Sequence, residues 1–346
     1  MSGDYLWDRS GEPDPEIQSL EETLRALRGT RPVPDLDRPR RSPPASAFGG
    51  WSALAAAAAL LAVATATTTR TRPLAPAVGW DLAWLEGESW PVARVVREGR
   101  LGVGEWIDTQ GSRARLSVGD VGEVQLEPAT RVGLLDAGRR RHRLSLARGV
   151  MHATIWAPPG RFLVDTPSAV AVDLGCRYTL EVAHDGSGLL HVEAGWVGIE
   201  SHGLRSLVPA GAACATRRGL GPGTPYLEAA PDALRQALLG IDFGTDPRAR
   251  RRSLDLVLAT AAQRDAVSLW HLLSRVEGAD RGRVYDRLAA LVPPPATVTR
   301  EGILGGDPAL RDAWWNELGL GSAEFWRNWT WSASTDGARG PERNER

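Results

Sequence analysis

At 346 residues the chain is long enough for two modest domains rather than one. Its formal charge of -1 exerts no global pull toward nucleic acid or acidic surfaces. All 41 basic side chains are Arg and none is Lys, so the runs at Arg139–Arg141 and Arg250–Arg252 read as solvated faces. No aromatic or Gly-rich recognition motif accompanies them, which argues against direct nucleic-acid binding.

The first 47 residues split into a helix and a linker. Asp14-Pro15 supplies an N-cap with Pro in the first helical position. Ile17, Leu20, Leu24 and Leu27 then recur at helical spacing, with Glu16, Glu21, Glu22, Arg25 and Arg28 on the other faces. Gly29 ends the pattern, and Thr30 to Pro44 is Pro- and Arg-rich and reads as extended. One amphipathic helix of this length is marginal alone in water, so its apolar stripe needs a partner. Two readings stay open. Leu20, Leu24 and Leu27, with Tyr5, Leu6 and Trp7 as a second anchor, dock a cytoplasmic protein. Alternatively, the stripe self-associates or lies on the membrane surface.

Phe48 to Thr67 reads FGGWSALAAAAALLAVATAT, about 20 residues without a charge, the length a bilayer core requires. A polar stretch precedes it, unlike the h-region of a cleaved signal peptide. Residues 48–68 are therefore expected to form a single transmembrane helix. Arg31, Arg38, Arg40 and Arg41 precede the span and Arg70 and Arg72 follow it, which places the N-terminus in the cytoplasm. The expected location is a bacterial inner membrane crossed once, with the C-terminal domains in the periplasm.

From about Pro91 to Thr216 the pattern changes to short alternating runs broken by Gly, Pro and Asp. Arg113–Val118, Glu123–Glu127, Arg143–Leu146, Phe162–Val164, Val170–Val172 and Leu190–Val192 are the clearest. Period-two alternation at this spacing predicts an all-β domain, an antiparallel sandwich or roll spanning residues 80–220. One face of each strand is expected to be buried and the other polar.

The ordered set of runs resembles the FecR family. The resemblance is carried by Leu101–Thr109, Ser112–Leu116, Val124–Val132 and Leu146–Ala153, then by Phe162–Pro167 through Ala171–Gly175. Val192–Val197 and Leu207–Gly211 complete it. It covers roughly Gly99 to Thr216, and its specificity lies in the order of turn glycines and strands rather than in any single motif. Cys176 stands where the family usually has Thr after Leu174-Gly175. The resemblance implies a periplasmic sensor that modulates a cytoplasmic sigma factor, an anti-sigma regulator in signal transduction. Gly149, Gly175, Gly195 and Gly211 read as positions where strands turn or backbones approach closely. Asp173 reads as a turn cap before it reads as a ligand.

The two cysteines, Cys176 and Cys214, both fall in the region placed outside the membrane, where disulfides persist. A bridge between them is expected; two buried free thiols are the other reading.

Helical periodicity returns after Pro231 and predicts an α-helical domain over residues 228–331. The stripes are Ala233, Leu234, Ala237 and Leu238; Leu254, Val257, Leu258 and Ala261; Val267, Trp270, Leu273 and Val276; and Val284, Leu288 and Leu291. Asp307-Pro308 opens a last helix containing Trp314, Trp315 and Leu318. The Trp-rich end, with Trp326, Trp329 and Trp331, suits either glycan stacking or core packing. Residues 332–346 read as a polar tail.

The six histidines lack metal-ligand spacing, and no nucleophile elbow, Walker loop or dinucleotide fingerprint occurs. The chain is therefore expected to use no metal or cofactor and not to be an enzyme. The rival to a transmembrane regulator is a membrane-anchored scaffold whose outer domains bind peptidoglycan, glycan or an envelope protein.

Overall fold

The computed structural model describes residues 78–87 and 93–323. The N-terminal head, the apolar segment 48–68 and the tail 332–346 lie outside the described residues. Among those described, no helix is long and apolar enough to cross a membrane. The described residues belong to one compact unit.

Two β-sheets make up the N-terminal part. The first runs in the order β2 (Arg94–Gly102), β1 (Gly79–Glu86), β4 (Arg113–Val118), β5 (Gly122–Leu126), β7 (His142–Ile155), β10 (Arg177–Val182), β11 (Gly188–Ala194) and β14 (Ala212–Arg217). The short β15 (Gly221–Pro222) and β16 (Tyr226–Leu227) both pair with β14. The second sheet runs β3 (Trp106–Asp108), β6 (Arg131–Ala137), β7 again, β8 (Phe162–Asp165), β9 (Val170–Asp173), β12 (Trp196–Ser201) and β13 (Leu204–Pro209). Every described pairing is antiparallel except β7 with β8. The expected antiparallel β-architecture is therefore present, with helices after it.

Strand β7 belongs to both sheets and is the corner of the fold. His142 to Arg148 pair with the second sheet, and Gly149 to Ile155 pair with the first. The change of sheet occurs at Gly149, whose φ of 97° is closed to most L-residues. A Cβ there would stand 2.4 Å from the Thr130 Cα, so the backbone itself passes against β6. The inner faces of the two sheets then meet. Leu116, Val124, Leu126, Met151, Tyr178 and Leu190 from the first pack with Leu134, Leu144, Leu146, Phe162, Val164 and Val197 from the second.

The first sheet follows the expected alternation. In β4, Ala114, Leu116 and Val118 are buried while Arg113, Arg115 and Ser117 are more exposed. The second sheet departs from it. Phe162 and Val164 face the inter-sheet core, but Leu163 between them is also buried, in a second cluster with Val172, Leu174 and Leu207. The expectation of one polar face fails for β8, β9 and β13, because helices cover the outer face of this sheet.

Those helices are α1 (Asp232–Phe243), α2 (Pro247–Thr260), α3 (Ala266–Leu272), α4 (Gly278–Leu291), α5 (Arg300–Leu304) and α6 (Pro308–Trp315). All the predicted stripes fall on them or on the turns that follow, and α5 is an addition. Leu234, Leu238, Leu254, Val257, Leu269, Leu272, Val284 and Leu288 join the outer residues of the second sheet in one hydrophobic cluster. The helical region and the β-region thus share a core. Each fully buried Leu or Val contributes about 1.5–3 kcal/mol, which makes this junction a large part of the molecule's stability.

Trp314 and Trp315 lie inside that core. Their indole N–H groups donate to the Val292 and Gly321 carbonyls at 3.1 and 3.0 Å, and Trp315 packs edge-on to Trp270 at 4.8 Å between centroids. Of the two readings of the Trp-rich end, these two residues take the packing one. Trp326, Trp329 and Trp331 lie outside the described residues.

Candidate functional site

The densest polar chemistry lies where β13 and the β14–β15 turn meet α1, α3 and the turn after α3. Leu207 sits on β13 with its amide directed away from the sheet, and it donates to His271 Nε2 on α3 at 3.1 Å. His271 Nδ1 donates to the Val267 carbonyl one helical turn back at 2.8 Å. Both ring nitrogens are thereby used by a neutral imidazole of fixed tautomer. Burial pushes the His271 pKa down to about 3, so the ring stays uncharged at neutral pH. This histidine fastens a strand to a helix and is not poised for proton transfer.

One helical turn further on, Arg275 reaches under the sheet. It donates to the Pro222 and Gly223 carbonyls, both at 2.9 Å, and to Ser206 Oγ at 2.5 Å. Its guanidinium also lies 3.6 Å from Asp242 on α1, with both side chains about 95% buried or more. Asp242 in turn accepts from the Thr224 amide at 2.6 Å and from its hydroxyl at 3.0 Å. Burial raises the Asp242 pKa, with Arg275 and the Thr224 donors pulling against it. Strand, turn and two helices are thus joined by one charged pair whose hydrogen bonds are largely supplied by main chain.

Beside this staple the outer face of the second sheet opens into a cavity of about 300 Å³. Val172, Gly198, Glu200, Arg205 and Leu207 form the sheet side, and Trp270, Ser274 and Arg311 form the helix side. Gly198 pairs with Val172 on one flank and Leu207 on the other. The missing side chain at that central position leaves the floor of the cavity open. Glu200 and Arg205 are ion-paired at 3.3 Å, and the Arg311 guanidinium lies 4.9 Å from the Trp270 ring centroid.

The cysteines do not form the expected bridge. Both are free and buried. By strand register Cys214 faces Leu190, which faces Leu180, so Cys214 and Cys176 stand two strands and about four residues apart. That is on the order of 16 Å at ordinary strand spacings, against the limit of about 7 Å for a disulfide. Each thiol has its own partner. Cys176 donates to Asp173 Oδ2 at 2.5 Å, and Cys214 to the Gly223 carbonyl at 3.2 Å. Burial raises both thiols, Cys214 to about 12, which leaves them unreactive at neutral pH.

Asp173 behaves as the turn cap that its position suggested. Its Oδ1 accepts from the Gly175 amide at 2.7 Å. Burial pushes its carboxyl up to about 7, against the pull of the Cys176 and Gly175 donors. A Thr at position 176 could donate a hydroxyl to the same carboxylate, so Cys176 keeps the donor while changing the atom. Gly175, Gly195 and Gly211 share with Gly149 a positive φ, and a Cβ on Gly195 would stand 2.2 Å from the Gly175 carbonyl oxygen. Strand histidines His152 and His191 are partly exposed and contact Glu127 and Glu228 at 3.3 and 3.1 Å. No group of His, Cys, Asp and Glu among the described residues is arranged to hold a metal ion. Leu20, Leu24, Leu27, Tyr5, Leu6 and Trp7 lie outside the described residues.

Sequence reasoning missed Asp242, Arg275 and the cavity. Asp242 and Arg275 carry no spacing signal, since 33 positions of chain separate them. Gly198 had one: a lone glycine between Val197 and Ile199 in a strand marks a bulge or an open floor.

No curated protein matches the chain. Two crystal structures described as "a putative anti-sigma factor from Parabacteroides distasonis ATCC 8503" are similar to it at 15% identity. Their TM-scores are 0.31 and 0.32, with 39% of this chain and 64% of theirs covered. The chain thus spans a little under two thirds of those proteins, and a likeness of this size carries no argument about function. Residues 106–198, from the start of β3 into β12, match the family model described as FecR protein. Strands β3 to β11, the β7 corner and the Asp173 turn fall within that stretch, whereas β1, β2 and β13 to β16 lie outside it; over the matched residues the chain is similar to the FecR family.

Proposed function

We propose that this protein is a single-pass inner-membrane regulator that senses an envelope signal and modulates a cytoplasmic sigma factor. The FecR-like domain carries this reading, through the roles that its family resemblance implies. The uncharged stretch Phe48–Thr67 supports it from the sequence side, since it has the length of a bilayer crossing and stands N-terminal to that domain. In this reading the Leu20, Leu24 and Leu27 stripe is the sigma-facing surface, and the β-sheets and helices form the periplasmic sensor. The chain has no catalytic role. A single span transmits information only through coupled states on its two sides, such as a change in association or regulated proteolysis.

The test is fractionation and copurification of the full chain from its native host. It is expected in the membrane fraction, with cysteine probes placed in residues 1–47 labelled only from the cytosol. A sigma factor should copurify and be lost on Leu20→Asp and Leu24→Asp. Recovery in the soluble fraction, or labelling of both halves from the cytosol, overturns the topology. Retention of peptidoglycan without any sigma factor favours the scaffold instead.

A further inference from the structure

We infer that His142 and Trp80 form an acid-sensitive clasp, which holds the start of β1 in the fold at neutral pH and releases it on acidification. The claim concerns the fold itself and stands whether or not the chain crosses a membrane or acts on a sigma factor.

His142 is the first residue of β7 and only 5% exposed. Its ring lies against Trp80 of β1 at 5.9 Å between centroids, and Trp80 packs on Phe162 of β8 at 6.1 Å. Three strands distant in sequence thus meet in one aromatic cluster. Neither ring nitrogen of His142 reaches a hydrogen-bonding group, and the Trp80 indole N–H beside it reaches none either. Buried polar atoms are normally paired, so three unpaired ones side by side mark a weak point in the fold. His271 makes the contrast, since both its ring nitrogens are bonded, to Leu207 and Val267.

A neutral imidazole tolerates this apolar setting, whereas an imidazolium brings two N–H donors and a charge that must be met. Burial accordingly lowers the His142 pKa, with Asp120 and Asp136 pulling the other way and Arg161 adding to the effect. These charges face the ring from the β4–β5 turn, from β6 and from the segment before β8. Asp136 is already engaged, by Arg141 at 3.7 Å and the Gly138 amide at 2.9 Å, and Arg161 donates to the Arg139 carbonyl at 2.7 Å. On β1, Asp81 alternates to the face away from Trp80, and on β7 Arg143 is held by Asp165. Asp120 is therefore the acceptor toward which a protonated ring turns. Its turn lies on the edge of the ring, with a Cβ on Gly119 standing 3.5 Å from His142 Cε1. That turn is itself fastened, by the Trp156 indole N–H to the Asp120 carbonyl at 2.9 Å and the Trp156 amide to the Val121 carbonyl at 3.0 Å. The ring rather than the turn is the part that moves. Once it leaves, Trp80 loses a neighbour. Trp80 is the second residue of β1, the first strand, so the loosening falls where the preceding chain enters the sheet. Because the folded pKa lies below the ordinary 6.5, the clasp is closed above about pH 6.5. It weakens as pH falls below that, by up to about tenfold in its opening constant per pH unit.

The experiment is amide hydrogen exchange of the full chain at about pH 7.5 and about pH 5, corrected for the intrinsic pH dependence of exchange. Peptides covering β1 and the start of β7 are compared with peptides from β10 and β11. Protection of β1 should fall about tenfold between the two conditions while that of β10 and β11 holds. His142→Phe, which keeps an apolar ring and removes the titration, should leave β1 equally protected at both. Asp120→Asn, at an exposed turn position, should move the loss of protection to lower pH. Thermal melting checks that His142→Phe folds, and if it does not, Asp120→Asn decides alone. The clasp is refuted if β1 protection in the parent does not change with pH, or if the whole chain loses protection together. It is refuted equally if folded His142→Phe loses as much as the parent, or if Asp120→Asn leaves the midpoint where it was.

Discussion

Gly149 shows how much one residue decides in this molecule. Its positive φ lets β7 leave one sheet and enter the other, and its lack of a side chain lets the strand lie against Thr130. Gly149→Ala should therefore destabilise by more than about 1 kcal/mol, seen as a lower urea midpoint at unchanged slope. Asp173 and His271 make opposite predictions about pH. The Asp173 carboxyl is raised to about 7 in the fold, so the unfolded chain releases that proton first. Its contribution is fully present below about pH 4 and is lost as pH rises through 7. Asp173→Asn should remove this slope and be more stable than the parent at pH 8. His271 is depressed to about 3, so its contribution is present above about pH 6.5 and is lost as pH falls toward 3. His271→Gln should flatten that acid limb. The two slopes oppose one another between about pH 4 and 6.5, so each is read as the difference between parent and variant.

Elements in this chain are begun and ended by local chemistry that the sequence displays. Asp307 accepts from the Ala309 and Leu310 amides at 2.8 and 3.4 Å, with Pro308 in the first turn of α6. The same arrangement recurs at Asp246-Pro247, where Asp246 caps α2 through Arg248 and Ala249. Replacing either Asp by Ala should cost about 1 kcal/mol, measured by chemical denaturation. Strand β1 was less legible because its register shifts between Trp84 and Leu85, which breaks the alternation begun by Trp80 and Leu82. At the sheet edge β2 is nearly all exposed and carries Arg94, Arg97, Glu98 and Arg100, charges that discourage pairing with another chain. Helix α5 is only five residues long and too short for a periodic stripe.

For the molecule as a whole, the junction between sheet and helices is the contact that unites its two parts. Arg275 and Asp242 are buried there together, so removing one charge strands the other. Arg275→Met or Asp242→Leu alone should cost about 3–5 kcal/mol, and the double variant much less than their sum. A double-mutant cycle by urea denaturation measures this, and simple additivity would mean that the two charges are not coupled.

The residues taken alone determined that a run of strands is followed by a run of helices, the turn glycines, the Asp173 cap and the Asp307 helix start. Each of these depends on chemistry within a few positions of chain. The pairing of Asp242 with Arg275, the separation of Cys176 from Cys214, the burial of Trp314 and Trp315 and the open floor at Gly198 came only with the tertiary structure. They are set by which faces meet across long sequence separations, and alternation or helical period reports that a face is apolar without saying what covers it. Runs such as Phe162-Leu163-Val164 lie between the two: their lack of alternation was visible as sequence, but the helices that cover the second face were not.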